Sequence, residues 1–206
     1  MTASSGATPR ELVYRPAHSF DSREIAQLIC VAGHGIYEFL FDDLVPLLNA
    51  VDLLTIGVWG DDHPISYRHC HVAANAATDE VLGVANVFPA DLLRKDEYGP
   101  IPADRREHVR ALLELQDWGS MFLNALAVSE ACRGLGVGSR LLDWAEEHAR
   151  AEGFDRLSLH VWEDNAKAVK LYRARGFSEI GIARIAPHPR LPGRSASILM
   201  RRHLPK

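Results

Sequence analysis

Residues 122–128 (FLNALAV) form an apolar run, followed by SEACRGLGVG and then by SRLLDWAEEHARAEG. A strand therefore hands over to an amphipathic helix through a turn carrying Gly134, Gly136 and Gly138, with Arg133 just before them. Val137, Leu141, Trp144, Ala145 and His148 recur at steps of three and four, which predicts one buried helix face and an anchored N-terminus. The first N–H groups of such a helix have no partner within it and carry the positive end of its dipole, so the turn is a place for a phosphate chain. Side chains at the glycine positions would hold a phosphate away from those groups.

The turn alone leaves several readings open. It is compatible with a plain strand-to-helix connection. A P-loop needs Gly-Lys-Ser/Thr, and no lysine is present here. A dinucleotide fingerprint can use Gly134 and Gly136 but meets Ser139 where its third glycine belongs.

After this helix, RLSLHV predicts a second strand and DNAKAVKLYRARGF a short helix ending near Gly176. Upstream, ELVYRPA reads as a first strand, and Asp21 with Glu24 as a capping box opening a helix over REIAQLICVAG. A further helix is expected over GIYEFLFDDLVPLL, ended or bent by Pro46. SYRHCHVAA and EVLGVANVFPA predict a strand pair, and an insert up to about residue 116 carries one helix, ADRREHVRALLELQ. EIGIARIA and SASILMRRHL predict two last strands around the loop PHPRLPGR. Residues 1–10 are expected to be flexible and residues 11–203 to form one mixed α/β domain, with the ligand-binding core at 122–177.

At 206 residues, with 47% hydrophobic and 24% charged residues, the chain is long enough for a filled core. A net charge of -4 gives no basis for nucleic-acid binding. No apolar run is long enough to span a bilayer and the N-terminus lacks a signal-peptide core, so a cytoplasmic location without a membrane partner is expected. Cys30, Cys70 and Cys132 fit ordinary buried or loop thiols, and Trp59 and Trp162 fit packing roles. His69 and His71 share a strand face but lack a third ligand of matching spacing, so no metal site is expected.

Two of these segments together carry a family resemblance. RGLGVG, preceded by LAV, resembles the acetyl-CoA signature R/Q-x-x-G-x-G/A of the GNAT superfamily of N-acetyltransferases. DNAKAVKLYRARGF is similar to that family's N-x-x-A-x-x-x-Y-x-x-x-G-F segment, in the expected order and spacing. The resemblance implies a mixed, mostly antiparallel sheet, splayed at its middle strands and covered by helices on both faces. It implies acetyl-CoA as cofactor, its pantetheine arm lying along Leu126, Ala127 and Val128 like an added strand. The diphosphate would rest on the turn from Arg133 through Gly134, Leu135, Gly136, Val137 and Gly138 to Ser139, with Asn165 orienting the cofactor.

Transfer of an acetyl group to an amine needs a neutral nucleophile, a polarised carbonyl and a proton for the thiolate. An amine with a pKa near 10.4 costs roughly 4–5 kcal/mol to deprotonate at pH 7. The resemblance implies Tyr172 as the acid, although its helical spacing with Ala168 and Leu171 equally suits a core aromatic. The N–H of Val128 is a candidate to polarise the carbonyl. Some family members place a glutamate where this chain has Phe122. A water chain is therefore the expected base, with Asp117 as the named alternative. The acceptor site is expected from Tyr37, Glu38, Asp42, neighbouring Asp43, Asn124, the insert and the PHPRLPGR loop, whose carboxylates suit a cationic small-molecule or peptide amine. A non-catalytic acyl-CoA sensor and a nicotinamide-nucleotide enzyme are the competing readings. Exposed final strands make a homodimer the expectation.

Overall fold

The computed structural model describes residues 11–94, 101–191, 193 and 195–205. The expected flexible residues 1–10 lie outside them, as do residues 95–100 of the insert and Pro192 and Arg194 of the Pro-rich loop.

A seven-stranded sheet organises the chain, in the order β1 (Leu12–Pro16), β2 (Cys70–Asn75), β3 (Val81–Pro89), β4 (Met121–Val128), β5 (Arg156–Trp162), β7 (Ala196–His203), β6 (Ser178–Arg184). Only β4 and β5 are parallel neighbours; every other pair is antiparallel. This is the predicted mixed, mostly antiparallel sheet. It does not suit the nicotinamide reading, because the dinucleotide fingerprint belongs to an open, mostly parallel sheet.

One sheet face carries α6 (Val137–Ala151) and α7 (Ala166–Ala174). Their apolar residues Val137, Leu141, Ala145, Val169 and Tyr172 meet Ala85, Leu123, Leu159 and Met200 of the sheet. The opposite face carries α1 (Ser22–Gly33) and α3 (Ala50–Trp59), whose Ile25, Ile29, Leu54 and Val58 pack on Val72, Val84, Ala125 and Ala127. A third cluster joins α2 (Ile36–Phe41), Val109 and α5 (Arg110–Glu114) to Trp162, Ile185 and Leu191, and α4 (Ala103–His108) meets α2 through the rings of His108 and Phe39. Among the described residues no helix is long and apolar enough to cross a membrane.

Several local expectations are corrected. α6 begins at Val137, two residues before the expected start. The helix expected over residues 35–48 ends at Phe41, well ahead of Pro46, because Asp43 and Leu47 adopt positive φ. The apolar run 50–59, given no element from sequence, is α3. Its start is fixed by Asn49 and Asp52, each side chain accepting the other's backbone N–H at 3.1 Å. Asp21 does not cap α1 with its side chain. Its carboxylate turns back to the Arg15 guanidinium, at 2.7 and 3.0 Å, and accepts the His18 N–H at 2.7 Å. Such a bidentate ion-paired fork outweighs a single carboxylate bond to a backbone N–H. The insert helix is broken at buried Val109, and Trp59 is 64% exposed, so it is not a packing residue.

Candidate active site

β4 and β5 pair only from Met121 to Leu123, against Leu157 to Leu159, and then part. A bulge on β4 coincides with the parting. Asn86 opposes Ala125 and Val87 opposes Leu123, so Asn124 is an extra residue with no partner in the β3 ladder. The bulge reverses which side chains face which layer. Met121 and Leu123 pack toward α6, Ala125 and Ala127 pack toward α1, and Leu126 and Val128 return to the α6 side.

The same geometry decides where the amides of β4 point. Ser129 donates its N–H to Leu82 O on the β3 side at 2.8 Å. By strand alternation, the backbone groups of Leu126 and Val128 point the other way, into the gap left by β5. Those of Ala127 point at β3. A chain laid in the gap therefore finds an unpaired strand edge.

Past the open end of β4, a single helical turn (Glu130–Cys132) leads into Arg133, whose N–H is taken by Glu130 O at 3.2 Å and whose guanidinium meets the Glu130 carboxylate, also at 3.2 Å. Gly134 and Gly136 have φ of 77° and 78°, and a Cβ at either would meet no protein atom within 4 Å. Gly136 is the N-cap of α6, so Val137, Gly138 and Ser139 occupy its first turn with their N–H groups free of intrahelical partners. Leu135 projects into solvent. At the rim, the Ser129 hydroxyl is buried without a hydrogen-bond partner. The open left-handed glycines, the helix start, this orphan hydroxyl and the bare strand edge together fit a phosphate-tailed, extended ligand such as a coenzyme A thioester.

Tyr172 lies on the α6–α7 side, in the same apolar cluster against which Leu126 and Val128 pack. It is 8% exposed, edge-on to Phe177, and burial alone pushes its phenol up to about 12, so it stays protonated at neutral pH. Asn165 is the N-cap of α7, accepting the Ala168 N–H at 3.2 Å, and its amide nitrogen meets His34 Nε2 at 3.1 Å. Part of its hydrogen-bonding capacity is thus spent joining α7 to the α1–α2 corner. Trp162 Nε1 ties down the same corner through Gly33 O, at 3.0 Å.

On the opposite face, Tyr37 donates to Asn124 Oδ1 over 3.5 Å, and Asn124 Nδ2 donates to Asn86 Oδ1 at 2.9 Å. Burial chiefly pushes the Tyr37 phenol up to about 12. The Pro-rich loop and α4 close over the end of α2. Arg105 donates to Leu40 O and Asp42 O, while Arg190 donates to Asp42 O and pairs with Asp43 at 3.2 Å. The three segments expected to build the acceptor side are therefore in contact. Asp42 itself is used to start α3, accepting the Ala50 N–H at 2.9 Å.

Asp117 is not at this site. It lies before β4, at the closed end of the β4–β5 pair, 5% exposed. Arg201 holds both its oxygens through Nε (2.7 Å) and Nη2, and Arg156 lies 3.8 Å away. Its lone pairs serve β5 and β7. Phe122 is buried against Phe88. His71 stacks on Trp144, with ring centroids 4.5 Å apart, rather than facing a ligand, and Cys30, Cys70 and Cys132 are buried free thiols.

At the apex of the gap, His160 was not singled out from sequence. Its Nε2 donates to Leu115 O at 2.8 Å, so its Nδ1 is left to accept from Ser197 Oγ at 3.1 Å. Burial lowers its pKa from 6.5 to about 4, which keeps the imidazole neutral. The unfolded chain then binds the extra proton between pH 6.5 and 4, so stability falls with pH across that window. The single site is worth about 3 kcal/mol. Urea midpoints at pH 7 and pH 4.5 are expected to show the loss, and His160→Gln is expected to start less stable but to lose less on acidification.

A family model described as the acetyltransferase (GNAT) family matches residues 58–177, more than half of the chain. Mycothiol acetyltransferase of Jonesia denitrificans is 42% identical over 59 residues, covering 29% of this chain and 19% of that protein. The chain thus spans only about a fifth of the length of that curated relative. GCN5-related N-acetyltransferase 4, chloroplastic, of Arabidopsis thaliana is 28% identical over 196 residues, covering 89% of this chain and 66% of that one. A solved acetyltransferase structure superposes with a TM-score of 0.67 at 25% identity, over 94% of this chain and 100% of its own. With the parted strands and glycine turn in place, the matched segment shows that this chain belongs to the GNAT family of acetyltransferases.

Proposed function

We propose that the chain is an acetyl-CoA-dependent N-acetyltransferase, with residues 11–203 as one catalytic domain, acting on a primary amine of a small molecule or peptide by direct attack on the thioester. The observation that carries this reading is the parting of β4 from β5 immediately before a left-handed glycine turn. When bound, the coenzyme A thioester supplies an activated acetyl group. The N–H groups of Gly134, Gly136, Val137, Gly138 and Ser139 hold the diphosphate, where hydrogen bonds to a charged acceptor are worth about 1.5–3 kcal/mol each. Arg133 contributes less than the sequence suggested, since its N–H is already engaged.

Leu126 and Val128, whose backbone groups face the gap, would hold the pantetheine arm; of the two, the Leu126 N–H is nearer the apex where β4 leaves β5 and would be the one to polarise the carbonyl. Tyr172, kept protonated by burial, gives its proton to the departing thiolate. The acceptor enters from the Tyr37 and Asn124 side.

A non-catalytic acyl-CoA sensor draws support from one observation, the buried Phe122 in place of a strand carboxylate. Thiol release from acetyl-CoA over a set of primary amines separates the two, since the sensor releases none. Tyr172→Phe is expected to bind acetyl-CoA nearly as wild type and to turn over about ten-fold or more slowly. Equal turnover would remove Tyr172 from the chemistry. A cytoplasmic location and a homodimer complete the proposal, the latter supported by Ile180 and Ile182 exposed on edge strand β6.

A further inference from the structure

We infer that Glu38 on α2 is the proton acceptor for the incoming amine, in place of the strand carboxylate that this chain lacks. The inference rests on the N-acetyltransferase reading and deepens it. Its starting point is an unsatisfied group: Glu38 Oε2 is buried and has no hydrogen-bond partner. A buried carboxylate oxygen without a protein donor is costly unless a water, an ion or a ligand supplies one, and an ammonium supplies both the donor and the opposite charge. The Glu38 charge acts on the Tyr37 phenol, and the Tyr37 hydroxyl reaches the bulged Asn124 where β4 leaves β5, which puts the carboxylate on the acceptor side of the gap.

The other candidates are engaged elsewhere. Asp117 is held by Arg201 and Arg156 at the closed end of the sheet, Asp42 accepts the Ala50 N–H, Asp43 pairs with Arg190, and both nitrogens of His160 are bonded. The titratable groups acting around Glu38 are the Cys30 thiol from α1, the Tyr37 phenol from α2 and the Asp42 carboxylate just past it, while Arg105 donates to the backbone oxygens of Leu40 and Asp42, and Arg190 to those of Glu38 and Asp42 and to the Asp43 carboxylate. No cation neutralises the Glu38 side chain among the described residues, which leaves it free to take an ammonium.

An alkylammonium donates a hydrogen bond to Glu38 Oε2 and transfers one proton to it, freeing the nitrogen lone pair. The C–N bond then forms as the C–S bond breaks. Tyr172 protonates the thiolate sulfur and is reprotonated by the second nitrogen-bound proton. Glu38 returns its proton to solvent, leaving an amide, a thiol and one released proton.

Glu38→Gln keeps the size and removes only the proton acceptor. The probes are phenethylamine, spermidine and a tripeptide with a free N-terminus, each with acetyl-CoA, followed by thiol release from pH 6 to 10. The variant is expected to lose at least about ten-fold in kcat/KM near neutrality, to recover as pH approaches the amine's own pKa, and to bind acetyl-CoA with unchanged Kd by calorimetry. Its melting temperature is expected to equal or exceed that of the wild type, because an unsatisfied charge has been removed. An active wild type with a Glu38→Gln variant of the same rate and pH profile overturns the role of Glu38 alone. So does a variant that melts well below the wild type, since Glu38 would then be holding the fold. A wild type that binds acetyl-CoA but acetylates none of the probes overturns the catalytic reading itself, and this inference with it.

Discussion

Gly136→Val is expected to raise the Kd for acetyl-CoA by about a hundred-fold or more while leaving the fold in place. Gly136 sits at φ 78° as the N-cap of α6, a conformation that a β-branched residue adopts only with strain. Relieving the strain means rotating the peptide that aims the first N–H groups of the helix outward. Losing two hydrogen bonds to a charged diphosphate, at about 1.5–3 kcal/mol each, amounts to a hundred-fold or more in affinity. The added Cβ meets no protein atom within 4 Å, so the loss of melting temperature should stay at a few degrees. Gly138→Ala is the companion test. Its Cβ would meet Val128 Cγ2 at 3.6 Å, an ordinary contact, and its φ is not left-handed, so the protein alone accepts it. Any weakening of binding in Gly138→Ala then reports on how closely the ligand approaches that backbone. Calorimetry that finds the wild-type Kd in Gly136→Val would remove the turn from the cofactor site.

The two positions also mark how far the sequence could be read. Spelling alone gave the three glycines one common purpose. The structure divides them: Gly134 and Gly136 are required by the path of the chain, and Gly138 only by what lies outside it. Local signals carried well where an element's own pattern decides its state. The strand at 122–128, the turn, α6, β5 and α7 all form close to where their local pattern places them, because β4 and β5 are apolar strands inside the sheet and α6 and α7 each bury one face against it. What escaped was set by partners distant in sequence. The bulge at Asn124 exists only relative to β3, and Tyr37 meets Asn124 from 87 residues away. α3 was missed for another reason. Its apolar residues run nearly all round, so no period stood out, and only the pairing of Asn49 with Asp52 announced its start. The acceptor side was legible as three segments but not as an arrangement, since Arg105 and Arg190 reach α2 from far along the chain.

Asp117 shows the same limit in a form that can be measured. Its place just before β4 made it a reasonable base from sequence, and the structure gives it a different task. Asp117→Asn is expected to destabilise the protein by about 3 kcal/mol, since removing one member of a largely buried ion pair leaves Arg201 and Arg156 partly shielded and without their counter-charge. For a chain of this length that corresponds to a fall of roughly 6–12 °C in melting temperature. Turnover at temperatures where the variant is folded should remain near that of the wild type, with the acidic limb of its pH profile intact. The distinction matters because either role predicts a poor enzyme at elevated temperature, and only the shape of the rate profile separates them. Replacing Arg201 by methionine in the same variant should return part of the lost stability, because one stranded guanidinium is then removed as well. A flattened acidic limb in folded Asp117→Asn would restore Asp117 as the base and displace Glu38. The retained limb, set beside its loss in Glu38→Gln, would place proton transfer on the α2 side of the parted strands, where the amine has to enter.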